Sequence, residues 1–313
     1  MGVVRKWSAL RREMPSGVCF KPMIDPAKLL YVVHAVEDRD AAEALYHRAF
    51  DARTFFRGDL EEHGRGTTLL VIKDFSIALV DVPDELADDP YIKRHRGRFL
   101  ALGLKVGDLD EAMAELSAIG IGASRVGGSL LAVDVDDTAG LPIELTDREL
   151  PNDPRLAADW PSDYWRSEDP LQLEEWWSVS TLVSDVERGR WALGNVIGAR
   201  EMELRIDGEL TASSYLFDAG GANLTILEPK EGNELAYVVE RQGPGVHALM
   251  LDVVDLTAAV RYMRSLGIAM VGTSGTRLVV HPTSFMGARF LLVERPEEED
   301  PHSRWREWGY QKE

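Results

Sequence analysis

Four segments of this chain share one pattern: an alternating apolar stretch, an aspartate at a turn, then apolar residues at helical spacing. They read YVVHAVEDRDAAEALYHRAF, ALGLKVGDLDEAMAELSAIG, SVSTLVSDVERGRWALGNVIG and ALMLDVVDLTAAVRYMRSLG. The turn residues are Asp38, Asp108, Asp185 and Asp255. Their interval of about 70 residues is too long for a solenoid unit and suits a duplicated half-domain. A period of two giving way to one of 3.6 predicts a strand running into a helix. The aspartate at that junction is a helix cap, because its carboxylate accepts first-turn amide protons and sits at the positive end of the helix dipole. Strand-like runs follow, TTLLVIKD and FSIALVDV after the first helix, TRLVVHP and ARFLLVE after the last. Each unit therefore reads β-α-β-β-β. The expected fold class is α+β, with four such modules paired into two domains.

The modules place the domains at 28–150 and 174–296, with an N-terminal extension at 1–27 and a tail at 297–313. The widest gap, between the second and third modules, holds a linker at 151–173 rich in proline and acids. Trp160, Tyr164, Trp165, Trp176 and Trp177 cluster around it. They are expected to fasten the linker to a domain; a wall for an aromatic ligand is the sharper alternative.

A net charge of −18 over 313 residues argues against a nucleic-acid surface, which would need a basic stripe, and disfavours anionic membranes. Cys19 is the only cysteine, so no disulfide within the chain forms and a reducing compartment is expected. With no signal-like or membrane-spanning apolar run, a cytoplasmic location is expected.

Four β-α-β-β-β units in two pairs resemble the vicinal oxygen chelate superfamily over roughly residues 28–296. That superfamily includes glyoxalase I, extradiol ring-cleaving dioxygenases, methylmalonyl-CoA epimerase and drug-binding resistance proteins. The two-domain layout looks most like the extradiol dioxygenases. The segments VVERQGPGVHALMLDVVDL and HPTSFMGARFLLVE look more like methylmalonyl-CoA epimerase. The resemblance implies a cup formed by each module pair, with metal ligands on first strands, seven residues before the turn aspartate, and on last strands.

Those positions hold Tyr31, Ala101, Ser178 and Ala248 on the first strands, and Ala78, Glu144, Thr225 and Leu291 on the last. A divalent ion wants at least three nitrogen or anionic oxygen ligands. No metal cofactor is therefore favoured; iron, manganese or zinc would need ligands from other positions. His247 falls one residue off its slot and His34 three beyond, so both are expected to face the helices. His47, His63 and His95 lie among charged neighbours and are expected to face solvent.

Glu144 is the most informative residue. A carboxylate inside an apolar cup is suited to general acid–base work near neutral pH. Tyr31, expected across the same cup, could donate a hydrogen bond to a developing oxyanion. Together they point to metal-independent proton transfer next to a carbonyl on an aromatic or acyl metabolite, as in an isomerase or lyase. Ser178, Thr225 and His281 are candidate substrate contacts. His281 precedes Pro282 and also reads as a simple turn residue. Two alternatives stay open: a small-molecule binding protein without catalysis, and a ring-cleaving dioxygenase or glyoxalase with non-standard ligands. The partner is expected to be a small molecule, and exposed strand edges leave room for a homodimer.

Overall fold

The computed structural model describes residues 28–60, 65–81, 90–95, 97–207, 212–272 and 276–294. The expectations for the extension, Cys19, His63 and the tail lie outside these residues, as does the side chain of Trp176. The first module runs β1 (Lys28–Val36), α1 (Arg39–Phe50), β2 (Arg53–Leu60), β3 (Arg65–Ile72) and β4 (Phe75–Asp81). After α2 (Pro90–His95) comes the second: β5 (Phe99–Lys105), α3 (Leu109–Ala118), β6 (Ala123–Val126), β7 (Leu130–Val133) and β8 (Ile143–Thr146). The linker carries α4 (Tyr164–Ser167). The third module is β9 (Leu173–Leu182), α5 (Val186–Val196), β10 (Arg200–Asp207), β11 (Ala212–Asp218) and β12 (Asn223–Pro229). Helix α6 (Glu234–Gln242) leads to the fourth: β13 (Gly245–Val253), α7 (Leu256–Ser265), β14 (Met270–Gly272), β15 (Arg277–Val280) and β16 (Phe290–Val293).

The four repeat aspartates do what their position suggests. Asp38, Asp108, Asp185 and Asp255 accept the amide protons of Ala41, Glu111, Arg188 and Ala258 at 2.8–3.0 Å. Each such cap contributes about 1 kcal/mol.

The strands form two eight-stranded sheets, ordered β2-β3-β4-β1-β5-β8-β7-β6 and β10-β11-β12-β9-β13-β16-β15-β14. In each, the first strands of two modules pair antiparallel at the centre, β1 with β5 and β9 with β13. Each first strand also pairs parallel with the last strand of its own module, which the capped helix makes possible by carrying the chain across.

The helix-covered faces of both sheets share one apolar core. Tyr46 and Phe50 of α1 meet Phe285 and Phe290 of the last module, with ring centroids between 4.8 and 6.1 Å apart. Phe75 lies 5.0 Å from Trp177 across the same boundary. The linker closes over the first half: Trp160 and Trp165 donate their indole N–H groups to the carbonyls of Lys73 and Phe50. The Arg53 guanidinium lies over the rings of Trp160, Tyr164 and Trp165. No helix among the described residues is long and apolar enough to cross a membrane.

Two elements were not anticipated. Ile92 of α2 packs beside Val33, Val80 and Leu100 on the inner face of the first sheet. Leu235 and Val238 of α6 do the same on the second, beside Leu182 and Leu227. The connection between paired modules is thus itself a helix laid on the inner face.

Candidate functional site

The pairing register of the two sheets repeats residue for residue. In the first, Val33 pairs with Ala78 and Ala101, Tyr31 with Gly103, and Gly103 with Glu144. In the second, Ser180 pairs with Thr225 and Ala248, Ser178 with Met250, and Met250 with Leu291. Tyr31 and Ser178 therefore occupy equivalent positions, as do Glu144 and Leu291. The alternation of a strand puts each of these sets on one face.

On the first sheet that geometry brings Tyr31 and Glu144 together. They sit on strands separated by β5, and the residue between them is Gly103. A Cβ at position 103 would fall inside the Tyr31 ring, so only glycine lets that ring lie flat across the intervening strand. The phenol then reaches Glu144 Oε2, donating at 3.3 Å. Tyr31 is 1% exposed and Glu144 9%, so the inner face is closed over and the carboxylate is the more accessible of the two. Around them lie Val33, Leu69, Ala78 and Ala101, an apolar setting in which a hydrogen bond counts for more than in water. Gly103→Ala is expected to expel the Tyr31 ring and break this bond. Urea unfolding should show a loss of about 1–3 kcal/mol, the usual cost of overpacking.

The equivalent face of the second sheet offers Ser178, Thr225, Ala248 and Leu291, all buried. Ser178 Oγ has no hydrogen-bond partner among the described residues. Across both faces the eight positions that the sequence resemblance singles out supply one carboxylate, one phenol and two hydroxyls. A divalent ion held by three or more nitrogen or anionic oxygen donors does not fit that set. Among the described residues, no three His, Cys, Asp or Glu side chains converge.

The histidines divide. His34 faces α1, its Nδ1 3.0 Å from the Tyr46 hydroxyl. Burial pushes its pKa down to about 4. His47 is exposed and pairs with Thr54 at 2.8 Å. His95 overturns the expectation of a solvent-facing ring: it is 3% exposed and its Nε2 donates to the Pro244 carbonyl at 3.0 Å. The short helix turns this ring toward the second half, where the Arg94 side chain also lies against Gly243. His247 sits in a bulge, where Val246 pairs with Thr181 and Ala248 with Ser180. Ala248 takes the inner-face position, and His247 lines a cavity between the two halves. His281 lines the same cavity, apart from Ser178 and Thr225.

Residues 31–128 match the family model described as the Glyoxalase/Bleomycin resistance protein/Dioxygenase superfamily. No curated protein matches the sequence. Among solved structures, a mutant of 4-hydroxymandelate synthase from Streptomyces coelicolor is similar at 15% identity and a TM-score of 0.59, covering 86% of this chain and 93% of that one. The 2,3-dioxygenase LapB from Pseudomonas sp. KL28 is similar at 14% identity and a TM-score of 0.55, covering 88% and 95%. Methylmalonyl-CoA epimerase from Mycobacterium tuberculosis overlaps 41% of this chain and 91% of its own, at 23% identity and a TM-score of 0.36.

Proposed function

Since residues 31–128 match the glyoxalase and dioxygenase superfamily model and the fold is similar to 4-hydroxymandelate synthase, we propose that this chain is a vicinal oxygen chelate small-molecule enzyme that moves a proton next to a carbonyl. Its substrate is an aromatic or acyl metabolite, its reaction is of the isomerase or lyase type, and the step uses no metal. One observation carries the reading: the buried Tyr31–Glu144 hydrogen bond on the inner face of the first sheet. The absence of a metal from the step rests on the donor set, in which Glu144 is the single anionic group.

In this scheme Glu144 takes the proton from carbon and the C–H electron pair moves into the carbonyl. The enolate oxygen accepts a hydrogen bond from Tyr31. Returning the proton to the same or the next carbon gives an epimer or isomer; expelling a group from the adjacent carbon gives an elimination product. The proposal includes a cytoplasmic setting and a homodimer built through the edge strands β2, β6, β10 or β14.

A second reading, a binding protein without catalysis, is supported by the closure of the face over Tyr31. Deuterium exchange separates the two. The chain, treated with chelator, is incubated in heavy water with a panel of aromatic ketones and acyl thioesters, and label at the carbon is followed by NMR. Glu144→Gln is expected to slow exchange by roughly 10²–10⁴-fold, the usual contribution of a general base. Unchanged exchange in Glu144→Gln would remove Glu144 from the chemistry. A panel that binds but never exchanges favours the binding reading.

A further inference from the structure

Between the two halves lies a cavity of about 290 Å³. Its lining draws His95 and Arg98 from the first half, and Gln242, His247, His281 and Arg289 from the second. Among the described residues no carboxylate lines it, although the chain as a whole carries a net charge of −18. We infer that this cavity binds a small molecule by its anionic group, a carboxylate or a phosphate.

Two guanidinium groups, of Arg98 and Arg289, line this cavity. Arg98 donates to Gln242 Oε1. Among the described residues the Arg289 side chain makes no hydrogen bond or ion pair; Glu234 is the acid that acts on it at longer range. Burial lowers the pKa of both arginines, and the Arg289 charge lowers that of Arg98 further. Two like charges drawn partly out of water and facing one space are unfavourable unless an anion enters between them. Guanidinium is the side chain suited to that role, because its planar fork meets a carboxylate or phosphate with two parallel hydrogen bonds.

Three imidazoles complete the lining. Burial and the two arginines hold the His247 pKa down to about 3, so the ring is neutral near pH 7. It makes no hydrogen bond among the described residues, which leaves an uncharged N–H for a ligand oxygen. At His281 the Thr283 amide donates to Nδ1 at 3.4 Å, so the ring offers its N–H at Nε2. His95 is engaged with Pro244 and serves as wall. The inference does not depend on Glu144 or Tyr31, which lie on the inner face of the first sheet.

Calorimetric titration of the full chain tests it, with inorganic phosphate and with succinate as probes at constant ionic strength set by sodium chloride. At least one probe is expected to bind one-to-one and to raise the unfolding temperature. Arg289→Met should weaken that binding roughly tenfold or more. Arg289→Lys keeps the stem and charge but not the fork, and should weaken it several-fold even if the methionine variant fails to fold. Tighter phosphate points to a phosphorylated ligand, tighter succinate to a carboxylated one. The inference is overturned if neither probe binds beyond the chloride background, or if the Arg289 variants that fold bind as the parent does.

Discussion

Gly287→Ala is expected to unfold this protein at a denaturant concentration far below the parent. Gly287 adopts φ of 94°, a left-handed conformation that costs any residue with a Cβ on the order of 1 kcal/mol or more. The larger penalty is steric. A Cβ there would collide with the backbone carbonyl of Gly97, and would sit 3.1 Å from Gly97 Cα. Gly97 belongs to the first half and Gly287 to the second, so neither backbone can yield without moving its domain. Separation at this point pulls Phe285 and Phe290 away from Tyr46 and Phe50, all four fully buried. Loss of even one such aromatic contact set costs about 3–5 kcal/mol in large-to-small substitutions. A total of several kcal/mol is a large fraction of the roughly 5–15 kcal/mol that holds a typical domain folded. Urea unfolding followed by tryptophan fluorescence checks this. A midpoint unchanged from the parent would show that the two backbones are not in contact.

The sequence makes the modules legible because each is signalled twice, by a change of hydrophobic period and by a capping aspartate. The inner-face positions follow from counting back from those aspartates, and the shared register of the two sheets supports the count. Tyr31 and Glu144, separated by 113 residues, meet because both obey that register. What lies between the repeats is less readable. Helices α2 and α6 are short connections without a repeated pattern. Strand parity alone could not orient His247, because the bulge beside it puts Val246 and Ala248 on opposite faces where a regular strand would put them on one. His95 looks solvated among Lys93 and Arg94, yet its fate is set by Pro244, far away in sequence. The arginines of the cavity left one signal, unused: Gly-Arg-Phe-Leu at 97–100 and Gly-Ala-Arg-Phe-Leu at 287–291 place a cation and an aromatic residue at the start of a strand.

Acidification from pH 6 to pH 4 is expected to destabilise the fold by about 1.4 kcal/mol per pH unit, the value for one proton. His34, His247 and Asp169 carry most of this slope, and Glu43 and Asp153, held low against burial by hydrogen bonds from Arg57 and Arg155, add to it as the pH nears 4. Burial holds His34 near 4 and, with Arg289 and Arg98, His247 near 3, whereas both rings take up a proton near 6.5 once the chain unfolds. Their stabilisation is complete above pH 6.5 and drains away as the pH falls toward their folded values, because the unfolded state binds two protons that the native state refuses. Fully buried His34 alone accounts for about 3 kcal/mol over its window. Asp169 works in the opposite direction. Burial raises its pKa from 3.8 to about 6, so the native state takes a proton that the unfolded chain does not accept until near 3.8. Two protons against one leave a net of one. Chemical denaturation at half-unit steps of pH measures the slope directly. His34→Asn, which keeps a polar atom near the Tyr46 hydroxyl, should flatten it nearly to zero. Asp169→Asn, which retains the oxygen that accepts from the Leu171 amide, should steepen it toward two protons. If parental stability stays level or rises on acidification through this window, the histidines are not held neutral by the fold.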